Sequence, residues 1–225
     1  ATVADNTLTI AGSSYVNKVW NAEKSEHVDN TVQQLATVGG AVSMTAADNN
    51  TLNAELATIG GAVSMTAENG SNTIKGNGDD TASVITLPSL EMTAKVDNTA
   101  KFEDSAINGT VAMTATTGDN TLSLTRTNSG DVSMTSATGN TLSVTGKASE
   151  NGEVPATPEE IDYNGTEAIQ AKINGSVTMT SSDGSNTAEL IDAALKEGIS
   201  MTAEQKEATV ADNTLTIAGS SYVNK

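Results

Sequence analysis

The sequence predicts an all-β chain made of repeats of about 21 residues, two strands to each repeat, forming a β-solenoid or a β-meander or sandwich. Three observations predict it. All seven methionines, Met44, Met65, Met92, Met113, Met134, Met179 and Met201, stand before a Thr and two residues after Val, Leu or Ile. Their spacings are 21, 27, 21, 21, 45 and 22 residues, the fifth close to two steps. Asn-Thr recurs six or seven residues after a Met, at 50–51, 72–73, 98–99, 120–121, 140–141 and 186–187, with further copies at 6–7, 30–31 and 213–214. Turn-forming letters lie between the two signatures: Asp48-Asn49, Asn69-Gly70, Gly118-Asp119, Thr138-Gly139 and Asp183-Gly184.

Each element follows from these letters. Val-x-Met-Thr alternates, so Val and Met share one face of a strand and Ser or Thr the other. Gly, Asp and Asn supply the turn. Asn-Thr-Leu-x-Leu then opens a second strand, as in Thr121-Leu122-Ser123-Leu124, and Asn128-Ser129-Gly130-Asp131 turns back toward the next Val-x-Met. A strand every 10 to 11 residues is the spacing of all-β folds. One residue type at one slot favours stacking, with the methionines as an adaptable core ladder. Stacked units need only a narrow core because neighbours complete each other. That reconciles order with a composition that is 36% hydrophobic and 2% aromatic and with a net charge of −17 over 225 residues.

Two regions leave the pattern. Gly76-Asn77-Gly78-Asp79-Asp80 reads as an insertion, and 147–164, with Pro155, Pro158, Glu159 and Glu160, as a loop or boundary. Short helices are predicted near 166–173 and 187–196: apolar residues recur four apart in the first, and Asn174-Gly175 and Gly198 supply stops. The domain reading is a β-repeat region over 1–146, the loop over 147–164, further β-repeats over 165–207, and a final segment over 208–225. That segment repeats residues 1–18, ATVADNTLTIAGSSYVNK, letter for letter at an offset of 207. It reads as the start of a next unit, a strand donated to a neighbour, or an engineered feature. Thr7, Leu8, Thr9 and Ile10, with their copies Thr214, Leu215, Thr216 and Ile217, form the predicted polymer-contact strand.

The 21-residue strand–turn–strand unit resembles, in period and composition, the repeats of curli-type fibre subunits and long repeat adhesins of prokaryotic surfaces. It lacks the Gln-x-Gly-x-Gly-Asn spacing of curli. The resemblance implies an extracellular fibre, extender or sheath at the cell surface and carries over no functional residue.

Charge and composition exclude several classes. Eleven Lys and Arg against 28 Asp and Glu disfavour nucleic acid and anionic lipid. No stretch approaches the ~18 apolar residues of a membrane span, so membrane insertion is not expected. Without cysteine there is neither a disulfide framework nor a thiolate metal site. The chain starts on Ala1 with no visible signal peptide, which reads as a processed or excised piece. His27 is the lone His and no Gly-x-Ser-x-Gly elbow accompanies it, so no enzyme is expected. Gly139–Lys147 has six residues between its glycines where a phosphate loop needs four. Ca²⁺ is the one ligand kept: Asn77, Asp79 and Asp80 partly match the Gly-rich nonapeptide of Ca²⁺-binding β-rolls, and Asp48, Asp119, Asp131 and Asp183 add turn carboxylates. The expected function is a structural subunit or tandem module of an extracellular fibre that pairs with itself. The alternative is the Ca²⁺-stabilised extender of an adhesin.

Overall fold

A computed structural model describes residues 4–21, 23–77, 85–146, 171–205 and 211–219. After β1 (Asp5–Ala11) the chain forms a hairpin, β2 (Ser13–Asn21) and β3 (Glu26–Gln34), and then circulates. The circuits run β4 (Ala36–Val38), β5 (Val42–Ala46), β6 (Asn49–Glu55); β7 (Ala57–Ile59), β8 (Val63–Ala67), β9 (Asn72–Asn77); and β10 (Ile85–Leu87), β11 (Leu90–Ala94), β12 (Asn98–Glu103). They continue through β13 (Ser105–Ile107), β14 (Val111–Ala115), β15 (Asp119–Thr125); β16 (Asn128–Ser129), β17 (Val132–Ser136), β18 (Gly139–Thr145); and β19 (Lys172–Ile173), β20 (Val177–Ser181), β21 (Ser185–Ile191). The last described strands are β22 (Ala194–Leu195), β23 (Ile199–Ala203) and β24 (Asn213–Ala218).

Among the described residues these strands make three large sheets besides the two-stranded hairpin β2-β3. The first holds eight strands in the order β1-β6-β9-β12-β15-β18-β21-β24. The second, of short strands, runs β4-β7-β10-β13-β16-β19-β22, and the third β5-β8-β11-β14-β17-β20-β23. Each strand pairs in parallel with its counterpart one circuit away, for example Met44↔Met65 and Asn50↔Asn72. Among the described residues only the hairpin is antiparallel. The chain is thus all-β with parallel sheets of many strands, compatible with a β-solenoid-like arrangement. Parallel neighbours correct the meander alternative, in which consecutive strands pair antiparallel through tight turns.

Two further expectations are corrected. Each circuit has three strands where two were expected. The extra one, such as Ala57-Thr58-Ile59, is three residues long, too short to show alternation, and sits between glycines and a tight corner. The helices are also overturned. Ser185–Ile191 and Ala194–Leu195 are strands, as is Lys172–Ile173, while 166–170 lies outside the described residues. Ala188 and Leu190 are buried two residues apart and Glu189 is exposed, so the inward faces of neighbouring strands override local helix propensity. The loop at 147–164 also lies outside the described residues.

The core is the strip enclosed by the three inner faces. In the third sheet Val42-Ser43-Met44-Thr45-Ala46 buries Val, Met and Ala and exposes Ser and Thr. In the first, Asn50, Leu52 and Ala54 are buried. The corner from first to second sheet is held by non-glycine residues at positive φ, namely Leu56, Asp104, Arg126 and Asp192 at 47 to 49°. Before the hairpin and before 147–170 stand Gly12 and Gly146, where an added Cβ would run into the backbone carbonyls of Leu56 and Asp192 in the neighbouring circuit. Packing adjusts from one circuit to the next. Phe102 stacks on Gly76, where a Cβ would lie 2.4 Å from the ring, so glycine there makes room for the one phenylalanine.

Candidate assembly surface at the two ends of the sheets

An internal ladder of asparagines defines the direction of the stack. The Asn of the Asn-Thr pair falls at one register position in the first-sheet strands, and Asn50, Asn72, Asn98, Asn120, Asn140 and Asn186 are buried there. Asn6 Nδ2 donates to Asn50 Oδ1 at 3.0 Å, Asn50 to Asn72 at 2.9 Å, Asn72 to Asn98 at 3.0 Å, and Asn98 to Asn120 at 2.9 Å. The run continues from Asn120 to Asn140 at 2.9 Å, Asn140 to Asn186 at 2.7 Å and Asn186 to Asn213 at 2.9 Å. Each Nδ2 up to Asn186 also donates to a third-sheet carbonyl, as Asn6 to Thr45 and Asn120 to Thr135, both at 2.7 Å. The asparagines therefore fasten the third sheet to the first. Every donor points from the β1 end toward the β24 end.

A second ladder of the opposite polarity, its donors pointing toward the β1 end, runs outside it at the corner between third and first sheets. Asp5 Oδ1 accepts the N–H of Asn49 at 3.0 Å, Asn49 Oδ1 that of Ser71 at 2.9 Å, and Asp97 Oδ1 that of Asp119 at 2.9 Å. Asp131 Oδ1, at another corner, accepts the N–H of Ser176 at 2.8 Å, and Asp119 Oδ1 accepts the Thr138 hydroxyl. So turn carboxylates considered as calcium ligands hold neighbouring circuits together here. Among the described residues no three His, Cys, Asp or Glu side chains are grouped to hold a metal ion. Asp79 and Asp80 lie outside the described residues. Asn77 ends β9, paired with Glu55 and Glu103.

The two copies of the duplicated strand occupy opposite edges of the first sheet. β1 pairs with β6, with Thr7↔Thr51, Leu8↔Leu52, Thr9↔Asn53 and Ile10↔Ala54. β24 pairs with β21, with Thr214↔Thr187, Leu215↔Ala188, Thr216↔Glu189 and Ile217↔Leu190. Their burial differs. Ile10 is 8% exposed, while its copy Ile217 is 72% exposed and Leu215 44%. β1 stands level with β4 and β5, the first strands of the other two sheets, whereas β24 stands one strand beyond β22 and β23, the last described strands of theirs.

The methionines lie side by side in one sheet. Met44, Met65, Met92, Met113, Met134, Met179 and Met201 pair in register along the third sheet. Met201, at the open end, is only half-buried. His27 packs edge-on against Trp20 across the exposed hairpin, with ring centroids 5.3 Å apart. Lys172 has its pKa lowered, first by burial and then by the charge of Lys196 on the adjacent circuit. Open depressions of about 290 and 410 Å³ are lined by polar side chains such as Asp131 and Glu197, or Asp5 and Asn49. Sequence reasoning missed the asparagine ladder. Its signal was present: a polar residue fixed at one slot, two before the inward Leu, shares that residue's face of the strand.

Comparison with protein-family models, with curated proteins and with solved structures returns no match for this chain.

Proposed function

We propose that the chain is a β-solenoid unit that associates end to end, through β-strand pairing, into a structural fibre or sheath outside the cell. The observation that carries this reading is the pair of identical strands at opposite edges of one sheet. An open edge exposes unpaired N–H and C=O groups that template another strand. Here both edges are built from one sequence, so whatever completes one end resembles what the other end presents. The third sheet agrees: Val42-Ser43-Met44-Thr45-Ala46 at one edge matches Ile199-Ser200-Met201-Thr202-Ala203 at the other, slot for slot. Such a contact is heterologous, and repeating it builds a filament. The acidic, Ser- and Thr-rich exterior keeps such filaments apart in solution. The role is mechanical, not catalytic, and needs no cofactor.

Sedimentation velocity of the full chain over a concentration series, with electron microscopy of the fast fractions, tests the proposal. Unbranched polymers that lengthen with concentration are the expected result. A single monomer boundary at all concentrations would overturn it. Calcium chloride titrated into the same samples addresses the extender alternative, to which a sharp rise in melting temperature would belong.

A further inference from the structure

We infer that the contact between two units is a flush one, in which a single strand of sequence Asn-Thr-Leu-Thr-Ile-Ala bridges them, and that β24 is a removable edge cap that yields its seat to β1 of the incoming copy. This rests on the end-to-end reading above and specifies its partner, polarity and geometry.

Strand numbers carry the first step. The first sheet has eight strands and the other two have seven each among the described residues. If two copies met with every strand retained, each contact would hold an extra strand in the first sheet and a gap in the others. Removing one of the two identical copies closes all three sheets together. Met44 then follows Met201, and Val38 follows Leu195, as their counterparts do inside the chain.

Burial decides which copy leaves. Leu8 and its copy Leu215 are both exposed, but β1, level with β4 and β5, buries Ile10, whereas β24 leaves Ile217 72% exposed. Lifting β24 off therefore uncovers little apolar surface. In the single chain it still pairs with β21 through six registered residues, so it guards an edge that would otherwise be open.

Hydrogen-bond polarity supplies the third step. At the β1 end Asn6 Nδ2 already donates to Asn50 and to the Thr45 carbonyl, while among the described residues no strand precedes β1 in its sheet to donate to Asn6 Oδ1. At the other end Asn186 Nδ2 donates to Asn213 Oδ1. An incoming β1 puts Asn6 Oδ1 where Asn213 Oδ1 was, and the ladder continues. Joining two like ends would set acceptor against acceptor or donor against donor. The partner is thus a second copy of this chain, head to tail.

The test uses the intact chain, which has no native cysteine, carrying Thr45→Cys and Thr202→Cys together. Both threonines are exposed on the third sheet. A flush contact sets them one strand apart, ~4.8 Å, inside the ~4.4–6.8 Å window for a disulfide. With an extra strand they lie ~9.6 Å apart, beyond reach. Mild oxidation should give a reducible ladder of oligomers that neither single variant gives. Polymers by sedimentation without that ladder would overturn the flush contact and leave end-to-end assembly standing; no polymers at all would overturn both. The axial repeat of the unmodified polymer gives a second reading: ~34 Å for seven strands against ~38 Å for eight. Deleting residues 211–225 identifies the cap. Faster assembly is expected, and loss of assembly would assign the bridging role to β24 instead.

Discussion

Replacing Asn120 by alanine removes the middle of the inner ladder, and its effect can be worked from the contacts. Asn120 Nδ2 donates to Thr135 O at 2.7 Å, to Asn140 Oδ1 at 2.9 Å and to Met113 O at 3.2 Å, and its Oδ1 accepts from Asn98 at 2.9 Å. The substitution strands the Asn98 N–H and the Asn140 oxygen, both on side chains no more than 1% exposed. A buried group left without its partner costs about 1–3 kcal/mol. Two such groups, with the weakened Thr135 contact, give an expected loss of about 3–5 kcal/mol. Asn6→Ala is the control: Asn6 lies half-buried at the open edge, its truncation opens the Asn50 oxygen to solvent, and about 1 kcal/mol is expected. Urea unfolding followed by circular dichroism, at concentrations where the chain is monomeric, measures both. Equal losses for the two variants, or a loss under ~1 kcal/mol for Asn120→Ala, would refute the ladder as a buried scaffold. Asn120→Asp adds a sign. One carboxylate oxygen there still accepts from Asn98, but the other takes the place of Nδ2 among the Thr135, Met113 and Asn140 oxygens, so its folded pKa is raised above the unfolded value of ~3.9. Stability should then fall as pH rises through that window and recover below it.

Ser136 and Ser181 bury hydroxyls without a partner at a slot that holds Ala46, Ala67, Ala94 and Ala115 in other circuits. Ser136→Ala and Ser181→Ala should each raise unfolding stability by about 1 kcal/mol. Gly76→Ala should lower it by about 1–3 kcal/mol through overpacking against Phe102, and adding Phe102→Leu should recover part of that loss, a coupling read in a double-mutant cycle. Asp104, 1% exposed, is held by Arg126 Nε at 2.6 Å and Nη2 at 2.7 Å. Arg126→Met should destabilise by about 3–5 kcal/mol by leaving a buried carboxylate unpaired, against a small change for exposed Lys18→Met. The lowered pKa of Lys172 means the folded state gives up this proton before the unfolded state does. Stability should therefore rise with alkaline pH between the two pKa values, and Lys196→Glu should flatten that slope.

The parts of this architecture that repeat were the parts legible in the sequence. Val-x-Met-Thr is long enough to show alternation, and its recurrence announced a stack whose methionines meet in register. Thr7–Ile10 and Thr214–Ile217 stood out in the sequence as a repeated strand because an exact duplication is visible letter by letter. What stayed hidden depends on three-dimensional closure. The strand at 57–59 is three residues long, and its partners at 36–38 and 85–87 are a circuit away. Ala188–Leu195 carries good helix formers, and only the neighbouring strands at 139–145 and 172–173 extend it. Asn-Thr was legible as a strand start, but that Asn faces inward and reaches the next Asn follows only once parallel register is known. The turn aspartates read as metal ligands because their carboxylates were visible in sequence and the N–H groups they accept, a circuit distant, were not.

Fibre diffraction from aligned polymers of the full chain tests the central claim most directly, namely that the axis along which strands stack is the axis of assembly. Strands perpendicular to the fibre, with a meridional reflection at ~4.8 Å, are the result this account predicts. Strands running along the fibre axis, with that spacing on the equator, would contradict it.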